Sequence, residues 1–181
     1  MRRSTPMVMS LLMALPLGAQ EKIRVAPPSE AYVYLGQLRA SRADRTLKDW
    51  GANGTGGGAG FAMLLGTDPL KLRLRMDGDT WSGQPATGSI QSIGLTTEAF
   101  LEFDATGPVT PFISAGPAFQ HWILGSNPTY GAPRTTLNKL AFRAEAGIFI
   151  HQRFGFSLGA LTGSLDAGQR TTVTYLAFTF R

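Results

Sequence analysis

The sequence predicts an all-β chain, folded as an eight-stranded antiparallel up-and-down transmembrane β-barrel. Three observations carry this. Apolar and polar residues alternate with period two in segment after segment, the pattern of strands with two unlike faces. Nothing of convincing length repeats at the helical period, and past the leader no uninterrupted apolar stretch reaches the roughly 18 residues that suggest a membrane-crossing helix. Short and long connections alternate along the chain, as an up-and-down meander requires.

The elements follow in order. Arg2 and Arg3 precede the apolar run Met7–Leu15 and the small-residue exit Pro16–Gln20. This reads as a signal peptide over residues 1–19, cleaved after Ala19, ahead of a barrel domain over 20–181. The first two strand segments, about Glu30–Arg39 and Gly56–Gly66, are rich in tyrosine or glycine, and their facing is open. The third is the clearest: in Leu70–Met76, Lys71, Arg73 and Arg75 oppose Leu72, Leu74 and Met76. In the fourth, Ile93, Leu95, Thr97, Ala99, Leu101 and Phe103 oppose Ser92, Gly94, Thr96, Glu98, Phe100 and Glu102. The fifth, about Val109–Leu124, puts Ile113, Ala115, Phe119 and Ile123 on one face. In the sixth, Leu140, Phe142, Ala144, Ala146, Ile148 and Ile150 oppose Lys139, Ala141, Arg143, Glu145, Gly147 and Phe149. The seventh sets Phe154, Phe156, Leu158 and Ala160 against three small residues. The eighth sets Thr174, Leu176, Phe178 and Phe180 against Val173, Tyr175, Ala177 and Thr179. Long connections are expected at about Ser41–Thr55, Asp77–Gly88, Gly125–Thr136 and Gly163–Arg170.

Composition narrows the classes. The chain has 181 residues, a length that suits one domain. Only 16% are charged, against about 25% in an ordinary soluble domain. The absence of cysteine removes disulfides, thiolate metal sites and thiol nucleophiles. The net charge is +5, but no basic helix or lysine run accompanies it, so nucleic acid is not an expected partner.

Charge and side-chain size indicate which face meets lipid. Lys71, Arg73, Arg75, Lys139 and Arg143 share their faces with Glu98, Glu102 and Glu145. Each cation in lipid would cost up to about 2–4 kcal/mol near the midplane, whereas in a lumen it meets a carboxylate. Gly94, Gly147, Gly155 and Gly159 fall on that same face, where a narrow lumen needs small residues. The expected arrangement is therefore a polar lumen network of these eight charged residues inside an apolar wall. Tryptophans at the long-loop ends and phenylalanines at the other end read as two aromatic girdles, formed by Trp81, Trp122, Phe103, Phe154, Phe178 and Phe180. Trp50, Phe112 and Tyr32 fit the same scheme.

The ending Tyr175-Leu176-Ala177-Phe178-Thr179-Phe180-Arg181 resembles the insertion signal of bacterial outer-membrane barrels, carried by Tyr175, Leu176, Phe178 and Phe180, although Arg181 follows the last aromatic. Thr110–Phe119 resembles the glycine-spaced strands of the same group. With the leader and the eight segments, the chain resembles an OmpA/OmpX-type barrel. That resemblance implies a Gram-negative outer membrane and termini on the periplasmic side; the peptidoglycan-binding domain that some members carry is not expected after Arg181. Outer-membrane lipid and lipopolysaccharide are the implied surroundings, and the barrel-assembly machinery is the implied partner during insertion.

Candidate chemistry is thin. Gly155-Phe156-Ser157-Leu158-Gly159 matches a nucleophile elbow, but that motif needs a strand–turn–helix and a later histidine, and none follows. Gly54–Gly60 lacks the βαβ setting and the Gly-Lys-Ser/Thr of a phosphate loop. His121 and His151 fall at opposite ends of the barrel, so no metal is expected to bridge them. His121 with Ser126 and a loop acid is the one imaginable hydrolytic set, and Asp77-Gly78-Asp79, which could form part of a calcium site, reads as a solvated turn. No catalytic residue, cofactor or metal is assigned. The expected function is structural or surface-interacting, through the long loops. The alternatives are a lipid A-modifying barrel enzyme and a soluble periplasmic barrel binding a small apolar ligand.

Overall fold

The computed structural model describes residues 30–40, 53–67, 69–83, 89–103, 107–126, 133–166 and 169–181. The leader and Trp50 lie outside these. Eight strands run β1 (Glu30–Ala40), β2 (Asn53–Thr67), β3 (Leu70–Gly83), β4 (Ser89–Glu102), β5 (Val109–Leu124), β6 (Thr135–Ile150), β7 (Phe154–Asp166) and β8 (Gln169–Phe180). Each pairs antiparallel with its chain neighbour, and β1 pairs with β8, which closes the barrel. Closure leaves no sheet edge along the paired rows, the condition for strands to cross a bilayer. Among the described residues there is no helix.

Alternation fixes the facing. On β3, Arg73, Arg75, Asp77, Asp79 and Trp81 are buried while Leu70, Leu72, Leu74 and Met76 are exposed. The same inversion holds on the other strands. Leu72, Phe142 and Phe156 keep 43%, 50% and 50% of their surface, whereas Arg73 and Arg143 are buried. Outward apolar runs cover Ile93–Phe103, Val109–Phe119 and Leu140–Ile150. About ten residue steps at roughly 3.3 Å, tilted about 40°, rise about 25 Å, the height of the apolar band on a spanning barrel. A soluble barrel with its apolar face inward is the reverse of this arrangement.

Close packing sets the glycine positions on β2. Gly58 and Gly60 face the rings of Tyr34 and Tyr32, and a Cβ on either glycine would overlap the facing tyrosine. The β6–β7 turn is tight. The amide of Arg153 donates to the carbonyl of Ile150 at 3.1 Å, across His151 and Gln152 at φ 49° and 55°. Two positive φ values make the primed hairpin turn, usually given to Asn-Gly.

Four expectations are corrected. Trp81 and Trp122 are 0% and 4% exposed and face the lumen, not the lipid. They follow Asp79 and Gln120 by two residues, so alternation turns them inward, where they fill the long-loop end. Phe112 and Tyr32 are also inside. Asp77-Gly78-Asp79 is strand, not turn, because β3 runs on to Gly83 and both carboxylates find lumen partners. The β7–β8 connection is short, since pairing continues to Asp166↔Gln169.

The two ladders of β6 differ in length. β6 pairs with β5 along its whole length, up to Leu124↔Thr135, but its ladder with β7 starts only at Ala141↔Gly163. Residues 135–140 of β6 therefore have no strand partner on the β7 side.

Candidate functional site

The site this fold builds is its lumen, which is layered from the short-turn end to the long-loop end. At the short-turn end Arg181 folds back inside. Its guanidinium donates to Glu30 at 2.9 Å and to Glu102, which also pairs with Lys71. The guanidinium carbon of Arg181 sits 3.7 Å from the centre of the Phe149 ring. Phe100, Phe112 and Phe149 form the next layer, with centroids 5.2 and 4.8 Å apart in sequence. Arg73 lies over that layer, 5.1 Å from the Phe100 ring. Arginine on both sides of an aromatic trio is a favourable use of the ring faces.

The charged centre comes next. Arg73 pairs with Glu30 at 2.7 Å and reaches Glu98 and Glu145 at 3.5 and 3.4 Å. Arg75 pairs with Glu145 and lies 4.1 Å from the Tyr32 ring centre. Glu145 also accepts from the hydroxyls of Ser157 and Tyr175, at 2.9 and 3.0 Å. Arg143 pairs with Asp77, which accepts from the Tyr32 hydroxyl at 3.0 Å. Asp79 is held by neutral donors, Ser92 at 2.6 Å and Tyr34 at 2.9 Å. Taking two charges out of water is repaid only by close geometry and further hydrogen bonds, and Glu145 and Asp77 have both. Above them Leu38, Trp81, Ile90, Trp122, Leu124, Leu161 and Val173 form an apolar cap.

The structure thus brings together Lys71, Arg73, Arg75, Glu98, Glu102, Arg143 and Glu145. Lys139 stands apart. It is half-buried near the apolar cap and has no carboxylate partner among the described residues. Of the girdle residues, Phe103, Phe154, Phe178 and Phe180 face outward. Phe154 packs with Phe178 and Phe180, at centroid distances of 6.2 and 5.1 Å. Of the insertion-signal residues, Leu176, Phe178 and Phe180 point out, while Tyr175 points in and donates to Glu145.

Sequence reasoning missed Glu30, Asp77, Asp79 and Arg181 as lumen charges. Alternation through Arg73 and Arg75 already marked the two aspartates. Nothing in the sequence joins Glu30 to Arg181, 151 positions away.

His121 is half-buried, and its Nδ1 lies 2.6 Å from the side-chain oxygen of Asn138, directly across the β5–β6 pair. Its recorded partner is Asn138, not Ser126. Ser157 is a lumen hydroxyl bonded to Glu145. Among the described residues no group of three or more histidine or acidic side chains could hold a metal ion.

No protein-family model and no curated protein matches the chain. Solved structures do. Neisserial surface protein A aligns over 83% of this chain and 95% of its own, at 11% identity and a TM-score of 0.56. The outer membrane enzyme PagL aligns over 83% and 98%, at 15% identity and a TM-score of 0.58. At such identities the likeness is one of fold. The chain is a closed eight-stranded antiparallel barrel of the kind seen in small outer-membrane proteins.

Proposed function

We propose that this chain is a non-enzymatic integral barrel of a Gram-negative outer membrane, exported by a cleaved leader, with a structural or surface-interacting role through its long loops. The observation that carries the reading is the lumen. Ion pairs fill its centre, Arg181 and three phenylalanines close one end, and two tryptophans with aliphatic residues close the other. Such an interior holds the wall rigid and supports an anchor better than a conduit, since eight strands leave room only for side chains. Lipopolysaccharide would surround the long-loop half, and the barrel-assembly machinery would insert the chain.

Fractionation with electrophoresis tests this. The protein should leave membranes with detergent and not with high salt, and its unboiled band should migrate differently from the boiled one. In planar bilayers it should give no stepwise conductance. Release by osmotic shock, or defined conductance steps, would defeat the reading. The enzymatic alternative draws on the His121–Asn138 pair, which could hold an imidazole in one orientation. Expression of the protein should leave lipid A composition unchanged, and a modification abolished by His121→Ala would establish the enzyme instead.

A further inference from the structure

The outward face of the wall is not uniformly bulky. Ala144 of β6 faces Ala160 of β7, which faces Thr174 of β8, and Ala146 is the next outward residue of β6. Their small side chains leave a shallow groove of about 410 Å³, with Ile113 and Leu158 at its short-turn end. The outward side chains that line it are apolar up to Thr174. Polarity then rises toward the long loops. Thr174 faces Gln37 of β1, and the next outward row holds Thr162, Thr172 and Arg39. The Thr162 and Thr172 hydroxyls lie 3.4 Å apart. Arg39 is exposed, and its guanidinium donates to the Gln37 amide oxygen at 3.0 Å, which ties it to the row of Thr174. From Leu158 to Arg39 the wall therefore passes from aliphatic, through hydroxyl and amide, to cation. The larger hollow of about 550 Å³ over Gly57, Gly78 and Thr80 has no such column. Leu35 stands in its row, and no cation lines it.

We propose that this column is a seat for one molecule of lipopolysaccharide. One acyl chain lies in the alanine-floored groove, the hydroxyl and amide groups of the acylated sugar meet Thr174, Thr172 and Gln37, and a phosphate meets the Arg39 guanidinium. Guanidinium and phosphate match in geometry as well as charge. The groove falls within the roughly 300–1,000 Å³ of small-molecule sites, whose build is apolar with a few placed polar groups. The order of chemistries along the wall is that of an anionic lipid in the leaflet on the long-loop side. A neutral lipid leaves the Arg39 charge unmatched, and a second copy of this face brings another cation to it. The proposal rests on the outer-membrane reading above and adds to it a specific lipid contact at a named place on the wall.

The test titrates purified bisphosphorylated lipid A into full-length folded protein in a non-ionic detergent and counts the retained molecules by native mass spectrometry. One molecule per barrel should bind saturably. Arg39→Gln should raise the half-saturating concentration about tenfold, the scale of one charged hydrogen bond. Lipid A stripped of its phosphates should bind the wild type as weakly as intact lipid A binds the Arg39→Gln variant, and the variant should not distinguish the two lipids. Ala160→Leu and Ala144→Leu fill the groove, spare Arg39 and should each weaken binding, whereas Gly78→Leu, which fills the other hollow, should not. Each variant is checked for the native unboiled gel band. Absence of a saturable first molecule, or indifference to Arg39→Gln and to both alanine variants in proteins that keep that band, would overturn the proposal. So would equal retention of phosphatidylglycerol, or a protein dimer lost on filling the groove. Loss of the gel band in the wild type would indict the barrel reading instead.

Discussion

Glu145 is the best place to test how the lumen is held together. It pairs with Arg75 and Arg73 and accepts from Ser157 and Tyr175. Glu145→Gln keeps the size and one carbonyl oxygen, so either hydroxyl can still find an acceptor. What it removes is the negative charge between two buried guanidinium groups, one of which, Arg75, has only a 3.5 Å contact to Glu98 left. Breaking a buried pair from one side costs about 3–5 kcal/mol, a large share of the roughly 5–15 kcal/mol that holds a typical domain. Glu145→Ala adds about 1–3 kcal/mol for a stranded hydroxyl. The double variant Arg75→Met with Glu145→Leu removes both charges and should recover most of the loss, because an apolar pair of similar size often replaces a buried ion pair at little cost. Denaturant unfolding in phospholipid vesicles, followed by tryptophan emission, measures all three. A Glu145→Gln loss below about 1 kcal/mol, or a double variant worse than the single, would refute a lumen held by its ion pairs.

Three further outcomes follow from particular residues. Trp81→Ala should cost about 3–5 kcal/mol as a buried large-to-small change; in addition, Trp81 as sole tryptophan should resist quenching by vesicles of brominated phosphatidylcholine, whereas a lipid-facing indole would be quenched strongly. His151→Asn with Gln152→Gly should raise stability by about 1 kcal/mol in the same unfolding assay, since both positions hold positive φ that Asn and Gly adopt more readily. Arg181→Gln should cost about 1–3 kcal/mol by removing its contacts to Glu30 and Glu102, and native and variant should converge as salt rises because its side chain keeps some exposure.

The fold was legible because a spanning barrel writes its two surroundings into alternate residues. Leu70–Met76 and Lys139–Ile150 gave strand, face and inversion together. The same alternation contained the correct facing of Trp81 and Trp122, two residues beyond Asp79 and Gln120. It was overridden there by the expectation that tryptophan near a strand end belongs to an interface belt. The aspartates of β3 were misread for a related reason: Asp-Gly-Asp looks like a turn until the partners of both carboxylates are known. Those partners were illegible because most of them come from strands distant along the chain. Tyr34 and Asp79 are 45 positions apart, and Arg181 and Glu30 are 151 apart. That the β6–β7 ladder ends at Ala141↔Gly163 was hidden too, because side-chain alternation does not record where a ladder stops.

The most direct test of the inverted barrel uses the absence of native cysteine, so that any introduced thiol is unique. Spin labels at Ile113, Ser114, Ala115, Ala118 and Phe119 on β5 would be read for collision with oxygen, which concentrates in lipid, and with a water-soluble nickel chelate. High oxygen access is predicted at Ile113, Ala115 and Phe119, with low access to both reagents at Ser114 and Ala118. Oxygen access highest at Ser114 and Ala118, or chelate access at Ile113 and Phe119, would contradict the account.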